Sequence, residues 1–393
     1  MSRIYKYTVP TGIDFGPGAI SGLQSILKAQ GVTRPLLLCD PGIRECGILK
    51  VALDELGQET GSLAQFDGVA SNPREENVLD ALEVYREQGC DGIIALGGGS
   101  VIDAAKGVAL LSTNSGDLDD FDIVKGGATR IHTPPSPVIA IPTTAGTGSE
   151  VSRGALIITT RGGITRKMIA ASPLLVPQHV ILDPNLTLSL PPLLTAGSGM
   201  DALCHAIEEY LSPRVHPVVE SIALGALDRI CFNLPLVMQE PGNIEARSQM
   251  LMAAMMAGIG FEKGLGAGHS MSHAIGALHE IHHGVLNATL LPACLEFNRE
   301  QISAEQAARL ASAAGITPSA GTSQLDQVIH WAVELNETFA IPPRLRELGV
   351  PAEDRERLVE LALHLQQQRE VVHRCGHARV VAAERLLICL RGS

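Results

Sequence analysis

Five histidines lie between residues 269 and 283, in Gly268-His269-Ser270-Met271-Ser272-His273, at His279, and in Ile281-His282-His283-Gly284. Upstream, Asp201-Ala202-Leu203-Cys204-His205 sets a carboxylate and an imidazole four residues apart, the spacing that brings two side chains to one helix face. A single histidine is more often a hydrogen-bonded core or surface residue than a ligand. Five within fifteen residues, in a Gly-rich setting beside an Asp-His helix, instead form the donor set of a divalent cation. Imidazole and carboxylate suit iron(II), zinc, nickel or cobalt, and no thiolate is required. On spacing alone His269 competes with His273, and His282 with His283.

Two further segments have the chemistry of a phosphate site. Leu96-Gly97-Gly98-Gly99-Ser100-Val101-Ile102-Asp103-Ala104-Ala105-Lys106 follows an apolar strand pattern and opens a helical one. Glycine there permits close backbone approach, and the helix start offers free N–H donors to an anion. The run is neither G-x-G-x-x-G nor a Walker A sequence, so it does not identify its ligand; a tight strand-to-helix turn is the plainer reading. Ile141-Pro142-Thr143-Thr144-Ala145-Gly146-Thr147-Gly148-Ser149-Glu150 also follows a strand and supplies four hydroxyls, which suit ribose and pyrophosphate. A Ser/Thr-rich capped turn has a similar composition.

The elements that must hold these groups differ between the two halves of the chain. Apolar runs at 35–40, 92–96, 138–141 and 180–183 are bounded by Gly, Pro or Asp and alternate with helical patterns, as buried parallel strands do. They predict an open, mostly parallel α/β domain over residues 1–188. Beyond Leu190-Pro191-Pro192, the segments 199–232, 244–260 and 268–279 carry Ala, Leu, Met and Ile at helical spacing, which predicts an all-helical domain over 189–393. Pro191, Pro192 and Gly197 within 185–198 mark the boundary. Four methionines between Met250 and Met256 read as core filling rather than a soft metal surface.

Composition narrows the classes of function. A chain of 393 residues with 45% hydrophobic and 18% charged residues is long enough for two globular domains. A net charge of -12 argues against nucleic acid or an anionic membrane as the main partner. Eight scattered cysteines with no C-x-x-C pair point to reduced thiols in a cytoplasm. Neither a signal-peptide pattern nor a run of about 18 uncharged apolar residues is present, so no membrane span is expected.

With these motifs the chain resembles the iron-containing (group III) alcohol dehydrogenase family, whose fold is shared with dehydroquinate synthase and glycerol dehydrogenase. The resemblance runs over nearly the whole length and rests on four ordered motifs: Gly97-Gly98-Gly99-Ser100 with Asp103 and Lys106; residues 142–150; the run from Gly199-Met200-Asp201 to His205-Ala206-Ile207-Glu208; and Gly264-Leu265-Gly266 through His283-Gly284-Val285-Leu286-Asn287-Ala288. It implies that Asp201, His205, His269 and His283 bind the metal, iron(II) with zinc the alternative, and that His273 lies beside nicotinamide and substrate. It implies dinucleotide contacts from Gly97, Gly98, Gly99, Ser100, Asp103, Thr143, Thr144, Thr147, Ser149 and Lys167. Asp40, after the second strand of the nucleotide domain, can hold a ribose 2'-hydroxyl and repel a 2'-phosphate, which favours NAD. A homodimer is implied as well. Two departures stand out: Phe261-Glu262-Lys263 precedes Gly264-Leu265-Gly266 where the family often has Asn, and the usual terminal Asn-Pro-Arg is matched only weakly by His377-Ala378-Arg379.

The expected activity is hydride transfer between NAD(H) and a short-chain primary alcohol or aldehyde, with a dication stabilising alkoxide charge. Two cations, Arg153 and Lys263, are candidates to meet an anionic tail of the 4-hydroxybutyrate and succinic semialdehyde type. The competing readings are a lyase or cyclase like dehydroquinate synthase, and a non-catalytic NAD- or metal-binding protein.

Overall fold

The computed structural model describes residues 7–9, 11–57, 63–358 and 360–362. His377-Ala378-Arg379, the apolar helical pattern of 380–390, Cys375 and Cys389 lie outside the described residues. The chain divides into two compact units, one of Thr8–Leu190 with Gly242–Gly258, the other of Pro191–Pro241 with the described residues from Ile259 onward.

The first unit runs β1 (Gly12–Phe15), α1 (Leu23–Ala29), β2 (Pro35–Leu38), α2 (Pro41–Glu45), α3 (Ile48–Glu55), β3 (Gln65–Phe66), α4 (Glu75–Glu87), β4 (Gly92–Gly97), α5 (Gly99–Thr113), β5 (Val138–Pro142), β6 (Gly154–Arg161), β7 (Ile164–Ala171) and β8 (His179–Leu182). Six of these strands form one sheet in the order β1-β8-β5-β4-β2-β3, and each neighbouring pair is parallel. Successive side chains on a strand face opposite ways, and both faces are covered. Leu36, Leu38, Ile93, Ala95, Val138 and Ala140 enter one apolar cluster. Leu37, Ile94, Leu96, Ile139 and Ile141 enter another. That two-sided burial is why the central strands read as continuous apolar runs. β6 and β7 form a separate antiparallel hairpin, and α5, buried on nearly every side, packs on β4, β5 and β6.

The second unit is helical: α6 (Pro192–Leu211), α7 (Pro217–Gln239), α9 (Ala267–Leu278), α10 (His283–Phe297), α11 (Ala304–Ala313) and α12 (Gln324–Thr338), with α8 (Ile244–Ile259) between α7 and α9 in sequence but grouped almost entirely with the α/β unit. Met250 and Met255 of α8 are buried, so these methionines fill core. α6 packs on α7 and α10, and α10 on α9 and α12.

Among the described residues α7 is long and apolar enough by composition to cross a membrane. It nevertheless carries Glu220, Asp228, Arg229 and Pro235, and its buried Val219, Ala223, Ile230, Leu234 and Val237 recur at helical spacing on one face, the pattern of a helix laid on a core.

Candidate metal centre and nucleotide loop

Asp201 and His205 sit one turn apart on α6, and His269 and His273 one turn apart on α9, whereas His283 opens α10. α10 begins tight against α6: a Cβ on Gly284 would stand 2.0 Å from the Gly197 carbonyl oxygen and 3.0 Å from the Asp201 Cβ. Only glycine lets His283 come this close. Asp201, His205, His269 and His273 are buried, and the His283 side chain is 22% exposed.

The donor atoms converge. Ligand atoms of Asp201, His205 and His269 lie within 4.8 Å of one another. Asp201 Oδ1 is 3.7 Å from His269 Nε2 and 3.9 Å from His283 Nε2. The His205 and His269 rings stack with centroids 4.2 Å apart, and Phe261 lies against His205 at 4.7 Å. His273 is near the cluster: its ring is tilted 4.7 Å from that of His283 and set edge-on to His269 at 6.2 Å.

Asn287, one turn after His283, puts its Nδ2 2.7 Å from Asp201 Oδ1, 2.9 Å from His269 Nε2 and 3.2 Å from His283 Nε2. A primary amide has two hydrogens for these three acceptors. One buried point is therefore surrounded by a carboxylate and imidazole lone pairs, the donor set that suits a divalent cation. Burial would raise the Asp201 pKa, yet His205, His283 and His269 hold the carboxyl well below the usual range, so it stays charged. His269 is shifted the other way: burial would lower its pKa, but the carboxylates of Glu208 and Asp201 outweigh this and raise it. The neighbouring Cys204 thiol is pushed well up, first by burial and then by Glu208 and Asp201. The converging donor group of Asp201, His205 and His269 offers oxygen and nitrogen atoms.

In the α/β unit the residues expected at the dinucleotide gather at the C-terminal ends of β2, β4 and β5. Strand order reverses between β2 and β4, and ligands of open α/β sheets bind at such a switch point. Gly97 ends β4 and Gly99 begins α5. The Asp40 carboxylate and the Thr147 side chain occupy the space that side chains at Gly97 and Gly99 would need, at 3.3 and 2.5 Å. Thr143 N–H donates to the Gly97 carbonyl at 3.1 Å, and Thr144 flanks Gly98. Asp40 also caps α2, accepting from Ile43 N–H at 3.1 Å, and burial raises its pKa. The Ser100 hydroxyl donates to the Ser71 carbonyl.

Asp103 and Ser149 are bound to each other through the Ser149 hydroxyl, and Asp103 also accepts from Leu156 N–H at 3.1 Å. Fully buried Lys106, one turn on, donates to the carbonyls of Ser149, Ser152 and Gly154 at 2.7 to 2.8 Å. Burial pulls its pKa down to about 8, partly countered by Asp103 and Glu150. Lys167 is buried on β7 and adds its charge to the surroundings of Asp103.

The two cations considered for substrate differ in setting. Arg153 is partly buried at the turn before β6. Lys263 is 2% exposed, donates to the Tyr210 carbonyl at 2.8 Å and pairs with Glu220 at 3.2 Å. Its ammonium is thus held by partners inside the helical unit. Glu208 and Asn287 were given no role by the sequence reading. Their signal was positional: Glu208 is seven residues after Asp201 and Asn287 four after His283, each in register with a ligand on its own helix.

Residues 10–184 match the family model described as iron-containing alcohol dehydrogenase, and residues 195–382 the C-terminal model of the same family. The chain belongs to the iron-containing alcohol dehydrogenase family. The 4-hydroxybutyrate dehydrogenase of Cupriavidus necator is 39% identical over 371 residues, covering 92% of this chain and 94% of that protein. The crystal structure of a 1,3-propanediol oxidoreductase is 35% identical, superposes with a TM-score of 0.87 and covers 99% of both chains. An NADH-dependent butanol dehydrogenase from Thermotoga maritima, 25% identical, covers 99% of this chain and 98% of its own with a TM-score of 0.86. As a member of this iron-containing alcohol dehydrogenase family, the protein is an alcohol oxidoreductase with the family's α/β and helical architecture.

Proposed function

We propose that this alcohol dehydrogenase interconverts a short primary alcohol carrying an anionic tail, of the 4-hydroxybutyrate type, with its aldehyde, at a metal centre formed by Asp201, His205, His269 and His283. One observation carries the metal reading: Asp201 Oδ1, His269 Nε2 and His283 Nε2 all lie within hydrogen-bond reach of the single Asn287 Nδ2 atom. When bound, a divalent metal at this point supplies Lewis acidity for alkoxide charge, and NAD supplies the hydride acceptor. Iron(II) is the metal of the family's name, and the same three imidazoles and carboxylate accept zinc.

The chain's own groups do the rest. Charged Asp201 neutralises part of a dication's charge, and the three imidazoles fix its position. His273 is assigned the proton: one turn along α9 from His269, its ring can hold the hydroxyl proton and pass it on as hydride leaves. Gly97, Gly98 and Gly99 allow a pyrophosphate to approach the α5 N-terminus, with Ser100, Thr143, Thr144, Thr147 and Ser149 around it. Lys167 is assigned to the cofactor's surroundings, and Asp103 acts by holding Ser149. Asp40, beside Gly97, is assigned the ribose 2'-hydroxyl and with it the preference for NAD. Arg153 is the cation proposed for the substrate's tail, through charge-assisted hydrogen bonds. The anionic tail draws support from the 39% identical 4-hydroxybutyrate dehydrogenase. We further propose a cytoplasmic homodimer.

The test is metal analysis of the purified protein together with kcat/KM for 4-hydroxybutyrate, 1,3-propanediol and 1-butanol with NAD. The expected outcome is about one divalent metal ion per chain and a preference for the hydroxy acid that falls in Arg153→Ala. Higher kcat/KM for the neutral alcohols rejects the anionic tail, and full turnover of metal-free protein rejects the metal centre.

A further inference from the structure

α6 carries another polar side chain on its metal-facing stripe. Glu208 follows His205 by three residues and Asp201 by seven, so at about 100° per residue it stays on their face. Its carboxylate is buried and both oxygens are engaged. Oε1 accepts from Gly268 N–H at 2.8 Å, while Oε2 accepts from Gly266 N–H at 2.7 Å and lies 2.7 Å from His269 Nδ1.

An ionised carboxylate that gathers donors has no proton to give, so Nδ1 of His269 must donate. In the neutral ring the lone pair is then on Nε2, the atom turned toward Asp201. The other side of the ring agrees. Asn287 Nδ2 is 2.9 Å from that same Nε2, where a lone pair can accept one of the amide's two hydrogens. Hydrogen bonds to the two ring nitrogens, from residues on two different helices, select one tautomer.

We propose that Glu208 is a positioning residue that holds His269 as the Nδ1–H tautomer with Nε2 aimed at the metal. The inference rests on the metal centre proposed above and extends it to a residue outside the donor set. Partners of this kind fix ring orientation and raise ligand basicity, and their loss typically lowers metal affinity by about 10- to 100-fold. Glu208→Gln keeps the shape and reverses part of the polarity. Either way the amide is turned, its NH2 faces the Gly268 N–H, or it faces the Gly266 N–H and the His269 Nδ1.

Zinc affinity of full-length wild type and Glu208→Gln, measured by competition with a chromophoric chelator, is read beside thermal melts of both metal-free proteins. We expect zinc affinity in Glu208→Gln to fall about 10- to 100-fold. A lowered metal-free Tm with unchanged affinity would make Glu208 only a cap of α9 and overturn the proposal. A second measurement does not need the variant to fold: 15N spectra of histidine-labelled, zinc-loaded wild type, with the His269 ring assigned by through-bond correlation from its own backbone amide. Zinc on Nε2 and a slowly exchanging proton on Nδ1 support the proposal; zinc on Nδ1 sinks it. If wild type binds no zinc or iron(II), the metal centre itself fails, and that result is distinct from equal binding by wild type and variant.

Discussion

His273 and His269 are one helical turn apart, both buried and both imidazole, so spacing cannot separate a ligand from a proton carrier. Their surroundings differ. His269 has Glu208 behind Nδ1 and Asp201 in front of Nε2, whereas His273 meets the cluster as a neighbouring ring of His269 and His283. Asp201→Ala, His205→Ala, His269→Ala and His283→Ala are each expected to lose bound metal and turnover together, because each removes one of the converging donors. His273→Ala is expected to keep its metal and lose kcat by about 10²- to 10⁴-fold, the usual range for general acid-base help. Metal content by elemental analysis, beside kcat, distinguishes them. Metal loss in His273→Ala equal to that in His269→Ala would reverse the two assignments.

At the scale of elements, α5 both starts the nucleotide loop and pins the chain after β5. Asp103 holds Ser149 and Leu156, and Lys106 holds three carbonyls between Ser149 and Gly154. Lys106→Met retains the apolar stem but leaves those three carbonyls, one buried and two part-buried, without their donor. At about 1 kcal/mol or more for each, it is expected to cost roughly 3 kcal/mol. A urea melt checks this through the midpoint at unchanged slope. A loss below about 0.5 kcal/mol, the range of ordinary surface substitutions, would mean that the loop is held by its other contacts. In the sequence Asp103 and Lys106 look like cofactor-loop residues at i,i+3. Both also reach a loop more than forty residues away, a contact that helical spacing does not reveal.

At the scale of the molecule, the proposed metal centre ties α6, α9 and α10 of the helical unit to one point. A ligand that binds only the folded state stabilises it by mass action, about 4 kcal/mol at a thousand times its Kd. Chelation is therefore expected to lower the Tm measured by calorimetry, and re-addition of iron(II) or zinc to restore it. His269→Ala should melt at one temperature with or without chelator. An unchanged wild-type Tm on complete metal removal would separate the cluster from any cation.

The sequence by itself determined what periodicity and composition can carry. The central strands β2, β4, β5 and β8 were legible because two-sided burial makes them continuous apolar runs, and the histidine-bearing helices because Asp201/His205 and His269/His273 repeat at one turn. The short β1 and β3, of four and two residues at the sheet's edges, carry too few apolar positions to announce themselves. The β6–β7 hairpin was missed for a different reason: it stands outside the parallel sheet, so it follows no βαβ rhythm. Tertiary structure alone decided the pairings. It grouped α8 with the α/β unit despite its place among the helices, closed Lys263 onto Glu220 and the Tyr210 carbonyl, and put Glu208 behind His269 across an interval of 61 residues. Spacing reports only neighbours along one element; which distant group satisfies a buried charge or lone pair is set by packing, because an unpaired polar group in the interior costs too much to leave.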